Sequence, residues 1–232
     1  YGDIEENLSI TNNVIIMKNA IDANQYRYNE ETQNRMREEL GISGKKVIGH
    51  VGRFFPQKNH TFLIDIFKAV HDRDKNTVLL LVGGGEADDG LKNQIRHKVK
   101  DLGLEDSVKF LGVREDVEKV VQAFDVFLLP SLFEGLPVTM VEAQAAGLPC
   151  VISDKVPIQC DITGNVKVVS LEDAPEKWAE VIEDVLTNFK KKDTYETIVN
   201  AGFDIKENAK WLKDFYVEAL KEAGARTPGA MG

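Results

Sequence analysis

The 232-residue chain is 43% hydrophobic and 29% charged with a net charge of −9 at pH 7, as expected of a single globular domain with one substantial core. That acidic balance, with no basic patch interleaved with aromatics, excludes a nucleic-acid partner held through its phosphates. No basic-then-apolar leader and no run of 18 apolar residues occurs, so neither a signal peptide nor a membrane span is predicted, and a chain opening on Tyr1 reads as a piece of something longer.

Apolar runs and helical stripes alternate along the chain. Residues 14–17 read as a first strand and residues 46–51 as a second, which feeds Gly52-Arg53-Phe54-Phe55-Pro56-Gln57-Lys58. Asn59 is placed to N-cap the next helix, whose stripe is Phe62, Leu63, Ile66, Phe67 and Val70. A strand over 77–82 runs into Gly83-Gly84-Gly85-Glu86, a turn that lines a pocket at best. The stripe Leu91, Ile95, Val99 and Leu102 follows, then strands over 108–111 and 126–129. Beyond the latter, Pro137 suits the first turn of a helix because it has no N–H to lose there. Strands over 150–152 and 166–169 precede a capping-box pattern, Asp173 with Glu176, and the stripe Trp178, Val181, Ile182, Val185 and Phe189. Ala209, Leu212, Tyr216, Ala219 and Leu220 mark a long closing helix.

Such alternation predicts an α/β fold, a doubly wound, Rossmann-like parallel sheet spanning residues 1–223, with residues 224–232 a disordered tail. Its ligands are expected outside the carboxyl ends of the strands. Two features sit there. Arg53 and Lys58 put two cations in one loop beside a helix start that offers free N–H groups, an arrangement suited to phosphate. Glu134 and Glu142 bracket the step from strand to helix. Pro137 separates them, leaving Glu134 in the loop and Glu142 in the second helical turn, among residues expected to be buried, where an unpaired acid is costly.

The Glu134-Gly-Leu-Pro137 and Glu142 frame, preceded by Gly52-Arg53 and Lys58, resembles the donor-binding half of the GT-B glycosyltransferases. Within them it is similar to the retaining family 4 and, through Ile48-Gly-His-Val-Gly-Arg-Phe54 and Gln57-Lys-Asn-His60, to its bacterial exopolysaccharide and capsule members. The likeness runs from about Val14 to about Asp154. The resemblance implies one half of a GT-B fold that binds a nucleoside diphosphate sugar, most simply a UDP-sugar, and passes a hexosyl group to a sugar acceptor held by a missing N-terminal domain. It assigns catalytic roles to Arg53, Lys58 and Glu134. Gly52, Arg53 and Lys58 would meet the diphosphate and Glu134 the donor sugar. Glu142 would meet the ribose and the backbone of Val113 the base, while the backbone of Leu136, Pro137, Val138 and Thr139 would lie along diphosphate and sugar.

No cofactor or metal is expected. Asp72-Arg73-Asp74 imitates a manganese-binding signature of the other major glycosyltransferase fold, but it falls at a helix end on the opposite edge of the sheet. His50, His60, His71 and His97 show no paired ligand spacing. Cys150 and Cys160 also lack it and read as reduced thiols of a cytoplasmic protein, with peripheral membrane contact left open for the longer enzyme. A dehydrogenase is disfavoured because no three-glycine fingerprint follows the strand at Val47. A nucleotide-sugar epimerase of the same fold and a non-catalytic binding module stand as alternatives.

Overall fold

The computed structural model describes residues 17–84 and 90–225. Six strands, β1 (Lys46–Val51), β2 (Thr77–Val82), β3 (Val108–Gly112), β4 (Val126–Leu129), β5 (Cys150–Ser153) and β6 (Val166–Val169), form one all-parallel sheet ordered β3-β2-β1-β4-β5-β6. The helices are α1 (Ala23–Tyr26), α2 (Glu30–Glu39), α3 (His60–Arg73), α4 (Gly90–Asp101), α5 (Val117–Val120), α6 (Val138–Ala145), α7 (Pro175–Asn188), α8 (Tyr195–Asn200) and α9 (Ile205–Ala225). Each strand begins where its apolar run begins and ends within one residue of the expected end. The run at 14–17 is different. Residues 14–16 lie outside the described residues, as do Gly85, Glu86 and the tail from 226, and Met17 is exposed and irregular.

Successive side chains of a strand point to opposite faces, and the core divides accordingly. Val78, Leu80, Phe127, Leu129, Cys150 and Ile152 pack on one face with Met36 of α2 and Met140 and Ala143 of α6. Leu79, Leu81, Val126, Leu128 and Val151 pack on the other with residues of α3, α4 and α7. Burial on both faces explains why these strands are apolar at every position instead of every second one. A smaller cluster joins Ile21 and Ala23 to Val141 and Ala145 of α6 and to Ile198 and Phe203.

Three expected helix starts need correction. Asn59 stands at the N-cap of α3, but its side chain makes no capping bond, because the residue is left-handed (φ 54°) and also closes a 3-10 turn over Pro56–Lys58. Asparagine tolerates that conformation better than most residues. The Asp173 and Glu176 box does not form: Pro175 takes the first helical position, which makes Ala174 the N-cap. Pro137 is itself the N-cap of α6, one residue outside the expected first turn. The closing helix α9 is present, with Trp211 and Phe215 stacked at 5.5 Å on a partly exposed apolar face.

Gly49 shows how tightly β1 is seated. A Cβ at this position would lie 1.9 Å from the ring of the fully buried Phe124. Gly49→Ala should therefore cost about 1–3 kcal/mol in urea unfolding. Adding Phe124→Leu should recover part of that loss, and strictly additive effects would show that the two residues do not meet.

Candidate functional site

The sheet order turns at β1 and β4. The chain leaves β1 for α3 on one face and β4 for α6 on the other, so a crevice opens at their carboxyl ends. Ladder pairing between the two strands covers Ile48 with Val126 and Gly49 with Phe127. Past it, the His50 Nδ1–H donates to the Leu128 carbonyl at 2.9 Å. Residues 52–59 and 130–137 then form the two walls.

The wall after β1 is laced to its neighbours. Gly52 N–H donates to Val82 O at 2.9 Å, Phe54 N–H to Gly84 O at 2.8 Å and Gly83 N–H to Gly112 O at 2.8 Å. Gly83 is required here: its φ is +141°, and a Cβ would stand 2.0 Å from the Gly52 carbonyl oxygen. Val113 follows the left-handed Gly112 and is 80% exposed on the same rim. Arg114 forks onto Asp116 at 2.7 and 2.8 Å, which fixes the turn beyond it.

The central contact joins the walls. Lys58 Nζ donates to Glu134 Oε1 at 2.6 Å, with side chains only 18% and 7% exposed. Ser131 Oγ donates to the same oxygen at 2.7 Å, and Gln57 Nε2 to Glu134 Oε2 at 3.2 Å and to Phe133 O at 2.8 Å. Arg53 is exposed, and no ion pair to it is formed among the described residues. The two expected cations are thus unequal: one is already neutralised and the other is open. Neither α3 nor α6 has a side-chain cap, so both present uncapped N-terminal N–H groups next to the crevice.

Glu142 occupies the second turn of α6, as its spacing predicts, and faces Tyr26 of α1. Burial raises its carboxyl above the usual range, while the neighbouring Tyr26 phenol acts in the opposite direction. Burial, together with that carboxylate, pushes the phenol far above its ordinary value. No hydrogen bond or ion pair links Glu134 to Glu142 among the described residues. Leu136 and Val138 pack beside Tyr26 and Val141, which brings the α6 start against the same wall. Ser131 and Tyr26 were not singled out by the sequence, and Gln57 entered only as part of the Gln57-Lys-Asn-His60 likeness, with no role assigned to it. Gln57 and Ser131 lie one and three residues from named positions, whereas nothing local marks Tyr26.

Asp74 pairs with Lys46 at 2.8 Å, at the amino end of β1, and Asp72 with Lys68 and Lys75. Both belong to the edge opposite the crevice. Among the described residues no group of three or more His, Cys, Asp or Glu is arranged to hold a metal ion, and no helix is long and apolar enough to cross a membrane. Cys150 and Cys160 are both free and buried.

A model of the family described as glycosyl transferases group 1 matches residues 32–202. EpsF of Bacillus subtilis (strain 168), named as a glycosyltransferase, is 35% identical over 207 residues, covering 88% of this chain and 53% of that protein. An Escherichia coli UDP-Gal:alpha-D-GlcNAc-diphosphoundecaprenol alpha-1,3-galactosyltransferase is 30% identical over 178 residues, 73% of this chain and 45% of its own length. The solved structure of Anabaena HepE in complex with UDP and glucose superposes with a TM-score of 0.72 at 23% identity, over 88% of this chain and 56% of that one. The chain therefore spans about half the length of the curated relatives it matches.

Beneath the crevice lie two histidines. His60 stacks on Phe54 at 4.3 Å and meets His50 edge-on at 4.9 Å, and His50 Nε2 and both ring nitrogens of His60 are buried without a hydrogen-bond partner among the described residues. Burial lowers His50 from 6.5 to about 4 and His60 to about 2. The unfolded chain then binds protons that the folded chain refuses, so their contribution is complete above about pH 6.5 and is lost as pH falls towards the folded-state values. His60→Phe keeps a ring against Phe54 and removes one such proton. Urea unfolding between pH 7 and pH 5 should show a stability slope shallower in the variant by about 1 kcal/mol per pH unit on average, rising towards about 1.4 near pH 5; parallel curves would refute the assignment.

Proposed function

The chain belongs to the glycosyl transferases group 1 family, and within that family we propose that it is the donor-binding half of a retaining, family 4 hexosyltransferase of GT-B architecture. The substrate is a nucleoside diphosphate sugar, in the simplest reading a UDP-sugar, and the product is a lengthened glycan of the exopolysaccharide or capsule kind. One observation carries this reading: at the strand-order switch, Lys58 of one wall meets Glu134 of the other, and the exposed Arg53 stands in the same loop as Lys58. Support comes from the relatives, which are named as transferases, and from a similar fold solved with UDP and glucose. Transferase names disfavour the epimerase alternative.

In transfer, the bond from the sugar's anomeric carbon to the diphosphate breaks, a bond to the acceptor hydroxyl forms, and that hydroxyl loses its proton. Negative charge grows on the departing diphosphate. Arg53, Lys58 and the uncapped starts of α3 and α6 are the groups of this chain that would stabilise it, each strong contact being worth about 3 kcal/mol. Glu142, beside Tyr26, would accept from the ribose hydroxyls, and Glu134 from the sugar. Gly52, Val113 and the backbone of Leu136, Pro137, Val138 and Thr139 would complete the donor wall. The acceptor would be held by a domain outside this chain, so the chain alone should bind donor without transferring it.

Calorimetry with UDP and UDP-glucose tests these roles. Arg53→Ala should weaken UDP by about 1.5–3 kcal/mol, the range for hydrogen bonds to charged groups, while Asp72→Ala on the far edge should have no effect. Glu142→Gln should weaken both ligands by about 1–2 kcal/mol. Glu134→Gln releases Lys58, so UDP affinity should hold or rise while the sugar-bearing ligand loses ground. Equal damage to UDP by the two glutamate variants would defeat the assignment, and an effect at Asp72 matching that at Arg53 would place the site on the wrong edge.

A further inference from the structure

Ladder pairing between β1 and β4 ends at Gly49 and Phe127, so the walls beyond are joined only by particular side chains and loop bonds. Gln57 makes three of those contacts. Its carbonyl oxygen accepts from Leu132 N–H at 2.8 Å, and its amide nitrogen donates to Phe133 O at 2.8 Å and to Glu134 Oε2 at 3.2 Å. Glu134 Oε1 is shared by Lys58 and Ser131. Ser131 is itself fixed, because its carbonyl accepts from Ser153 Oγ at the end of β5 at 2.5 Å.

Donor binding asks two different things of Lys58 and Glu134: the ammonium must turn to a diphosphate, and the carboxylate must stay where it can meet a hydroxyl. Once Lys58 turns away, Oε1 retains the Ser131 hydroxyl, and Oε2 is held by Gln57 alone among the bonds observed here. Resting on the donor reading above, we propose that Gln57 is the positioning residue that keeps Glu134 aimed at the sugar of the donor while Lys58 exchanges the carboxylate for the diphosphate. A backbone bond from Leu132 survives any substitution at Gln57, so the walls stay joined when the amide is removed. Glutamine suits the post because its amide nitrogen gives one hydrogen to a carbonyl and the other to a carboxylate. A glutamate there would set a second negative charge beside Glu134 at neutral pH.

The test measures affinities of the chain for UDP, UDP-glucose, UDP-galactose and UDP-GlcNAc. Gln57→Ala should change UDP affinity by less than about threefold and lower the ratio of UDP-sugar to UDP affinity by about tenfold, the usual consequence of losing one charge-assisted hydrogen bond. Gln57→Glu should behave like the alanine variant at pH 8. At pH 5.5, where the introduced carboxyl can take up a proton and donate again, its ratio should return towards that of the wild type measured at the same pH. A residue that merely braces the loop would not produce this pH dependence. Equal loss of UDP and UDP-sugar in Gln57→Ala, or a Gln57→Glu profile parallel to the wild type, overturns the positioning role and leaves the donor reading standing. A wild-type chain that binds none of the four ligands overturns both.

Discussion

A parallel sheet whose strand order reverses cannot close its carboxyl edge at the point of reversal, since the chain departs from the two central strands to opposite faces. In this molecule the gap falls between β1 and β4, and the half-buried Lys58–Glu134 pair spans it. Every other feature of the crevice is arranged about that pair. Gln57 and Ser131 orient the acid, the lacing of Gly52 to Val82 and of Phe54 to Gly84 fixes the strand of wall that carries the lysine, and His50 ties β1 to β4 directly below.

Stability alone does not account for such a pair. Taking an ammonium and a carboxylate out of water costs several kcal/mol per ion, and replacement by apolar groups of like size is often neutral or better. The arrangement makes more sense as a site held ready for polar ligands. With the pair formed, neither charge is left unpaired while the crevice is empty of ligand charge. A ligand able to replace the carboxylate at Lys58 and the ammonium at Glu134 simultaneously breaks the pair without stranding either ion. A ligand that supplies only one of the two leaves a half-buried charge unmatched, at a fraction of the about 3–5 kcal/mol that removing one partner of a fully buried pair costs. Anionic and hydroxyl-bearing groups on one molecule meet both requirements together.

The architecture was legible because both faces of the sheet are buried: strands apolar at every position stand out from helices with apolar residues three and four apart. The short polar helix α2 was not, since EETQNRMREE buries Met36 alone and offers no stripe to read. Cap chemistry misled where a proline or a preceding turn decided the backbone first, at Ala174 and Asn59. Within the candidate site, Arg53, Lys58, Glu134 and Glu142 were singled out by their places at strand ends, and of these the structure brings Lys58 and Glu134 into contact. Their pairing was not visible, because the spacing of 76 residues between Lys58 and Glu134 says nothing about distance across a sheet. Tyr26 was further out of reach: it meets Glu142 only because residues 17–26 pack beside α6 and α8, a tertiary contact with no local pattern.

The inequality of the two cations bears on how a charged ligand would enter. Arg53 is exposed and unpaired among the described residues, so an approaching diphosphate meets its guanidinium at little desolvation cost. Lys58 is reached only by displacing a carboxylate held by two other donors. On the donor reading, the exposed arginine then governs encounter and its dependence on salt, because a solvated charge acts at long range and is screened readily. The paired lysine governs residence, because the diphosphate must compete with Glu134 to hold it and must surrender it again on leaving. Capture and commitment thus fall to different residues of one six-residue loop, and the difference between them originates in the opposite wall, in the single carboxylate that Lys58 faces and Arg53 does not.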